Sequence, residues 1–314
     1  MNYETSEIQW PSMNYVLCEI QRLGMNYVAS EIQGKHMNKK KGIKMKKDKR
    51  PDPKPRKNPQ LWQAFLWVEE VEEARKRHLL RLSSISRGKS NLDATVEENI
   101  MEHMNYDALL KLAKKELVTW GKQIKVWDWL TSFKGLGAGK IAAQVLAQFD
   151  DVAKFATVSK FWRFSGWACM DGHIDRCEKG KTSPYNRKLK SIVYLCVDQF
   201  VKQRTSVYRE IYDDEKARQK RLHPDKLCLK CYKKGIEIKK EDCKEKGHTT
   251  CAFSDGHIDS RARRKVAKIF LQHLWLVWRH VEGLPVSKPW IEEIGGHTNI
   301  VKPPNFDYES LTFE

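Results

Sequence analysis

Four cysteines and one histidine in a 24-residue stretch have the spacing of a metal site. Cys228 and Cys231 form a CxxC turn, and Cys243, His248 and Cys251 follow after eleven intervening residues. Zinc in structural sites takes four such ligands in a tetrahedron and leaves no open position. The spacing therefore predicts one structural Zn²⁺ held by Cys228, Cys231, Cys243 and one of the last two residues.

The fourth ligand is expected to be His248, because Gly247 permits a tight turn beside Cys243, and Cys251 is the alternative. Four of the eight cysteines fall in this stretch, and a reducing cytoplasm argues against a disulfide framework. The lysines around the turn suit a nucleic-acid surface; they are Lys226, Lys230, Lys233 and Lys234.

A glycine-rich segment supplies the second candidate site. A short predicted helix ends at Phe133, and Gly135, Gly137 and Gly139 lead into Lys140 and a second predicted helix. This is the pattern of a helix-hairpin-helix, in which glycines let the backbone approach a phosphate and free N–H groups face its oxygens. Lys140 can add a charge-assisted contact. The alternative is a turn between packed helices that binds no ligand.

Two further predicted helices carry cations at spacings that suit phosphate binding. The helix over 186–212 begins with Arg187, Lys188 and Lys190, against the preference of the helix dipole, so a bound phosphate would remove a penalty. The helix over 261–282, with Asp259 or Ser260 as its cap, has a basic stripe along one face. The stripe consists of Arg261, Arg264, Lys265 and Lys268. A solvated helix face is the alternative for the stripe.

The sequence Asp-Gly-His-Ile-Asp occurs at 171–175 and again at 255–259, each time before a basic stretch. Asp171, Asp175, Asp255 and Asp259 could converge on Mg²⁺ if the chain performs phosphodiester chemistry. Turn and helix-cap roles are the simpler interpretation of these acids.

Composition favours a polyanionic partner. The chain has 314 residues and a net charge of +18, and its eleven Trp and eleven Phe are enough for a sizeable core. The length suggests about two domains. The longest apolar run is far shorter than the roughly 20 residues of a membrane helix. Because the N-terminus also lacks the pattern of a signal peptide, the protein is expected to stay in the cytoplasm, without a membrane partner.

The N-terminal region is expected to be a disordered basic arm. A motif that begins Met-Asn-Tyr recurs with a period of twelve residues from Met1, Met13 and Met25. The repeats indicate either a short oligomerising array, and so a homo-oligomer, or repetitive sequence without a stable fold. Residues 35–57 follow with a net charge of +10, as a phosphate-tracking arm or a linker.

Several motifs in order resemble the C-terminal domain of the DEDD-type insertion-sequence transposases related to the Piv pilin invertase. They are Gly135-Leu136-Gly137, the Phe155-to-Trp167 stretch, Tyr185-Asn186-Arg187-Lys188-Leu189-Lys190, the helix Arg261–Trp278, Gly283-Leu284-Pro285-Val286, and Gly296-His297 with Pro303-Pro304. The resemblance is closest to an archaeal and phage-like branch with a zinc ribbon inserted before the last helix. It covers about residues 60 to 304.

The resemblance implies a mainly α protein: a helical bundle with a helix-hairpin-helix motif and a small inserted zinc ribbon. The expected divisions are an arm (1–57), a helical hairpin (58–126), the first part of the transposase-like domain (127–219), the ribbon (220–254), the last helix (255–283) and an extended tail (284–314). It also implies DNA as the partner, DNA transposition or recombination as the process, and a nucleoid-associated protein in a prokaryotic or viral host cell.

The family combines a RuvC-like nuclease domain with a nucleophilic serine. Residues 1–126 have no room for that nuclease domain, and Asp171-Gly172 stands where Ser-Gly is expected. In the family the serine lies before the Asn-Arg motif, and Ser183 is the only serine between Gly166 and Asn186. The resemblance therefore predicts DNA binding without catalysis. An active recombinase that uses Ser183 or Asp171 and Asp175 with Mg²⁺, and a zinc protein that binds structured RNA, are the alternatives.

Overall fold

The computed structural model describes residues 55–170, 173–174, 177–204, 206–288, 300–311 and 313. The predicted arm lies outside this part up to residue 54, as do Asp171 and Asp175. The described chain is mainly helical, as the sequence predicted, and its strands form two antiparallel pairs of two-residue strands. None of the described helices combines the length and the apolar character needed to cross a membrane.

The first described region contains three helices, one more than the hairpin predicted for residues 58–126. They are α1 (Pro59–Ser86), α2 (Ala94–Met104) and α3 (Tyr106–Gly121). A proline in the first turn suits α1, because the N–H that it lacks has no partner within a helix there. α1 packs against α3 and buries Leu61, Phe65 and Val68. The short helix α2 between them was not predicted.

Asp150 fixes the start of α1. Its carboxylate accepts the backbone N–H of Asn58 at 3.0 Å and that of Lys57 at 3.2 Å, and it also contacts the ammonium of Lys154. Burial opposes ionisation of this carboxyl, but the bonds from Lys154, Asn58 and Lys57 outweigh it and hold the pKa of Asp150 below its ordinary value. The entry of the chain into α1 is therefore tied to a carboxylate 92 residues further along the chain.

The glycine-rich segment joins two helices, and a small aromatic-rich unit follows. The elements are α4 (Trp127–Thr131), α5 (Lys140–Phe149), a 3₁₀ turn (Val152–Lys154), α6 (Val158–Ser165), β1 (Cys169–Met170) and β2 (His173–Ile174). α6 ends at Gly166, whose φ is +75° and where a Cβ would lie 2.5 Å from the ring of Tyr185. Only glycine fits this position.

The predicted helix over 186–212 is two helices, so the single-helix prediction was wrong. They are α7 (Arg187–Gln203) and α8 (Val207–Leu222). Arg204 adopts a left-handed conformation with φ +55°, which ends α7. The Asn186 side chain caps α7 by accepting the N–H of Leu189 at 3.0 Å. Apolar residues at helical spacing predict a buried stripe on this segment, and all five of its members are buried; they are Leu189, Ile192, Val193, Cys196 and Phe200.

The remaining elements surround a long central helix. They are β3 (Leu227–Cys228), α9 (Leu229–Tyr232), β4 (Cys251–Ala252), α10 (Asp255–Val281) and a 3₁₀ turn (Tyr308–Ser310). α10 begins six residues earlier than predicted, because the Ser254 side chain accepts the N–H of His257; neither Asp259 nor Ser260 is the cap. α10 packs against α6, α7 and α8 and buries Phe270, Leu274 and Trp278.

A buried histidine ties α10 to the C-terminal tail. The imidazole of His273 lies between the Tyr208 hydroxyl, 3.0 Å from Nδ1, and the carbonyl of Val301, 2.7 Å from Nε2. A carbonyl only accepts, so Nε2 carries the proton and Nδ1 accepts from Tyr208. Burial lowers the pKa of His273 to about 4. The ring is thus neutral and holds the tail against the helical body.

Candidate metal centre and basic surfaces

Four predicted ligands come together in one cluster. The ligand atoms of Cys228, Cys231, Cys243 and His248 all lie within 4.8 Å of one another. The Nδ1 atom of His248 is 3.4 Å from Sγ of Cys228, 3.5 Å from Sγ of Cys231 and 3.4 Å from Sγ of Cys243. The sulfurs of Cys231 and Cys243 are 3.7 Å apart. Three sulfurs and one nitrogen therefore enclose a single small space.

These separations fit a tetrahedral ion. With a metal–sulfur distance of about 2.3 Å and a metal–nitrogen distance of about 2.0 Å, the edges of a tetrahedron are about 3.8 Å between sulfurs and about 3.5 Å between sulfur and nitrogen. The distances in the cluster match both edges. The four residues could therefore hold a metal ion such as zinc, with every coordination position taken by the protein.

Short elements place the ligands. Cys228 ends β3, Cys231 lies in α9, and β3 pairs with β4 in an antiparallel register. Gly247, with φ +79°, turns the chain just before His248. This turn was predicted from the glycine, and the conformation is one that L-residues with a side chain rarely adopt.

His248 is also held from its far side. Its Nε2 atom lies 3.0 Å from a carboxylate oxygen of Glu245. Such a carboxylate fixes the tautomer that leaves Nδ1 free to bind a metal. The backbone N–H of Cys231 is the main cause that lowers the pKa of Cys228 to about 6, whereas burial raises the pKa of the Cys231 thiol to about 12. Glu245 was not predicted, although an acid three residues before a ligand histidine is a usable signal.

Cys251 lies outside the cluster. It faces Cys228 across the β3–β4 pair, and its sulfur is not among the four converging ligand atoms. The choice that the sequence left open therefore falls on His248.

The ligand assignment predicts a sharp difference between two cysteine variants. Cys243→Ser is expected to remove most of the bound metal, because it deletes one of four ligands. Cys251→Ser is the matched control and is expected to retain a full equivalent of metal. Elemental analysis of both purified proteins measures this, and metal loss from Cys251→Ser alone would contradict the assignment.

The glycine-rich turn is used largely for packing. A Cβ at Gly139, where φ is +79°, would lie 2.9 Å from the Trp127 ring, and one at Gly135, where φ is +94°, would lie 2.9 Å from Cβ of Gln199. At Gly137 the nearest such contact is the carbonyl of Thr131 at 3.4 Å. Gly137 is therefore the glycine whose backbone is open to a ligand.

Two of the predicted phosphate-binding lysines are paired with acids of α1. The ammonium of Lys140 lies 2.6 Å from the Glu72 carboxylate, and Lys188 pairs with Glu69. Lys190 lies over the ring of Tyr185 at 4.2 Å. Arg187 is exposed and has no carboxylate partner in the described part of the chain. The acidic face of α1 thus neutralises two of these cations, a pairing that was not predicted.

Two cations of the basic stripe on α10 have side-chain partners, and the other two have no carboxylate partner. One Nη of Arg261 donates to the side-chain oxygen of Gln219 at 2.7 Å, and Lys265 pairs with Glu215 at 2.9 Å. Arg264 and Lys268 have no carboxylate partner among the residues that the structure describes.

The catalytic candidates do not form a common site in the described part. The Ser183 hydroxyl donates to the carbonyl of Tyr185 at 2.7 Å. Asp255 pairs with Lys226 at 3.1 Å, whereas Asp259 accepts from Arg263 at 2.7 Å and from Tyr212. These two acids are thus used in separate ion pairs. Asp171 and Asp175 lie outside the described residues.

Comparison of the chain with protein-family models, curated proteins and solved structures gave no significant match.

Proposed function

We propose that this protein binds DNA and derives from an insertion-sequence transposase. One observation carries the binding: three exposed lysines beside the CxxC turn of the metal-ligand segment (residues 223–254) have no carboxylate partner in the described chain. They are Lys230, Lys233 and Lys234. Neighbouring lysines are neutralised, since Lys226 pairs with Asp255 and Lys239 with Asp225. The three free ammonium groups are available for phosphates.

The charge of the helical body supports the same conclusion. Residues 55–314 hold 47 Lys and Arg against 34 Asp and Glu, a net charge of +13, even without the basic tract up to residue 54. A surplus of this size raises affinity for polyanions. Lys140, Lys188 and Lys265 are paired internally. The binding surface is therefore centred on the metal-ligand segment and on Arg187, Arg264 and Lys268, which have no carboxylate partner among the described residues.

Zinc is the metal that the donor set favours. Three thiolates and one imidazole are a common zinc set, and hard cations such as Mg²⁺ prefer oxygen ligands. Bound zinc would crosslink a segment that has little core of its own and so fix its lysines in place. A zinc ribbon is therefore part of the proposal, with a structural metal.

The turn between α4 and α5 is proposed as a second phosphate contact, of the helix-hairpin-helix type. Support comes from Gly137, where the nearest atom to an added Cβ is a carbonyl oxygen at 3.4 Å, so the backbone is accessible. Lys140 contributes less to phosphate binding than its position suggests, because its ammonium group donates a hydrogen bond to the Glu72 carboxylate.

The proposed ancestry rests on the order of the family motifs. One experiment distinguishes DNA binding from the two alternatives, an RNA-binding zinc protein and an active recombinase. The chain is incubated with duplex DNA and with structured RNA at equal salt, with Mg²⁺ present and strand cleavage monitored. We expect tighter binding to duplex DNA and no cleavage. Tighter binding to RNA would favour the RNA-binding zinc protein. Nicking that Ser183→Ala abolishes would establish the recombinase.

The three lysines predict a change in salt dependence. Replacing Lys230, Lys233 and Lys234 by Gln should weaken DNA binding and reduce the slope of log affinity against log salt by roughly 0.9 for each phosphate that is no longer neutralised. The control is Gln at three α3 lysines that likewise have no carboxylate partner in the described chain: Lys111, Lys114 and Lys115. Equal effects of both triple variants would show that only net charge matters.

A further inference from the structure

A groove separate from the metal cluster lies between α6 and α10. Its volume is about 300 Å³, and its walls include Lys160, Trp162 and Arg163 of α6, Cys169 of β1 and Lys268 of α10. This volume is at the lower end of the range of small-ligand sites, about 300–1,000 Å³. A groove of this size suits a phosphate with its sugar better than a larger, drug-sized ligand.

Among the described residues of the walls, the charged ones are all cations. Lys160, Arg163 and Lys268 have no carboxylate partner among the residues that the structure describes. Arg264 lies one helical turn before Lys268 on α10, and it interacts electrostatically with Cys169 of the wall. Its guanidinium is half-buried without an acid, and this burial lowers its pKa. Among the residues that the structure describes, the three wall cations and Arg264 near Cys169 thus have no carboxylate to balance their charge.

Trp162 makes the groove a preformed one. Its indole N–H donates to the backbone carbonyl of Lys268 at 2.9 Å, which joins α6 to α10. The ammonium of Lys268 lies 4.4 Å from the centre of the same indole ring. The lysine is therefore held at the groove by a contact that does not use up its hydrogen bonds, and an incoming anion has little ordering to induce.

We propose that this groove binds one phosphodiester group of a nucleic-acid strand. The inference rests on the proposed function and gives it a specific site, distinct from the lysines of the metal-ligand segment. Phosphate oxygens can accept charge-assisted hydrogen bonds from the lining cations Lys160, Arg163 and Lys268. Arg264 and Lys268 belong to the basic stripe predicted from the sequence, whereas Lys160 and Arg163 were not predicted.

Two groove variants test the proposal with the full-length chain and a short DNA oligonucleotide. The double variant Lys160→Gln/Lys268→Gln should weaken binding about tenfold or more, because it removes two charge-assisted contacts to the phosphate. Ser159→Asp places a carboxylate in the groove wall at the first turn of α6, where an acid stabilises the helix. It should weaken binding without lowering the melting temperature. Lys111→Gln/Lys115→Gln is the control.

Cys169 provides a readout at the groove itself. The thiol is exposed, so iodoacetamide should alkylate it, and peptide mapping by mass spectrometry measures the rate. The oligonucleotide should slow this alkylation, whereas inorganic phosphate at equal concentration should not. If the chain binds DNA but neither the groove variants nor Cys169 reactivity responds, the groove is excluded and the proposed function stands. Equal protection by inorganic phosphate would make it a free-phosphate site instead, and no binding of any nucleic acid would overturn both proposals.

Discussion

Removal of the metal is expected to unfold residues 223–254 and to leave the helical body folded. This segment has only two-residue strands and the single turn α9, and its buried side chains are largely the ligands themselves: Cys228, Cys231 and His248. Structural zinc binding contributes about 10–16 kcal/mol in small zinc peptides, much of it as folding free energy. The hydrophobic contacts of this segment cannot replace a contribution of that size.

The body should survive because α8 and α10 pack against each other without the ligands. Tyr208, Ile211 and Phe270 belong to the main core, which contains none of the ligand residues. A strong chelator should therefore expose the lysines of the metal-ligand segment to trypsin while most of the helical circular dichroism persists. Cys228→Ser should reproduce this state without a chelator. Loss of the whole helical signal on chelation would show instead that metal and body form one cooperative unit.

Acidification from pH 6.5 to pH 4 should lower the free energy of unfolding by up to about 3 kcal/mol through His273 alone. The buried ring has a pKa of about 4 in the folded protein, against about 6.5 for an unperturbed histidine. Between these values the unfolded chain binds a proton that the native chain does not. Stability from this group is therefore complete above pH 6.5 and falls as the pH decreases toward 4.

His273→Gln isolates this contribution. A glutamine amide can accept from Tyr208 and donate to the carbonyl of Val301, and it does not titrate. Denaturant unfolding of both proteins at pH 7 and pH 4.5 gives the comparison, and the wild type should lose more stability than the variant. Burial also lowers the pKa values of His223 and His257, but both remain in the variant and cancel in the difference. Equal losses in the two proteins would assign the acid sensitivity to other groups.

The metal cluster was the part of the site that the sequence predicted best, because its signal is local. The CxxC spacing and Gly247 identified Cys228, Cys231, Cys243 and His248 from a short stretch. Helical periodicity likewise identified the buried face of α7. The break at Arg204 carried no such signal, since arginine rarely adopts a left-handed conformation.

The state of the basic residues could not be read from the sequence, because their partners are remote. Glu72 is 68 residues from Lys140, and Glu215 is 50 residues from Lys265. Nothing in the local pattern distinguishes Lys265, which is paired, from Lys268, which has no acid beside it in the described chain. Charge spacing predicts the face of a helix on which cations lie, and only the packing of other helices decides which of them remain available.

The pairing of β3 with β4 has a consequence for how this chain can change. Leu227 faces Ala252 across the pair, so the chain leaves and re-enters the helical body at neighbouring points, between the end of α8 and the start of α10. The intervening residues therefore start and end at adjacent positions. A short turn that joins residues 227 and 252 would close the gap without moving either helix. The segment therefore behaves as a replaceable cassette, which can be deleted, exchanged or redesigned while the scaffold around it is kept.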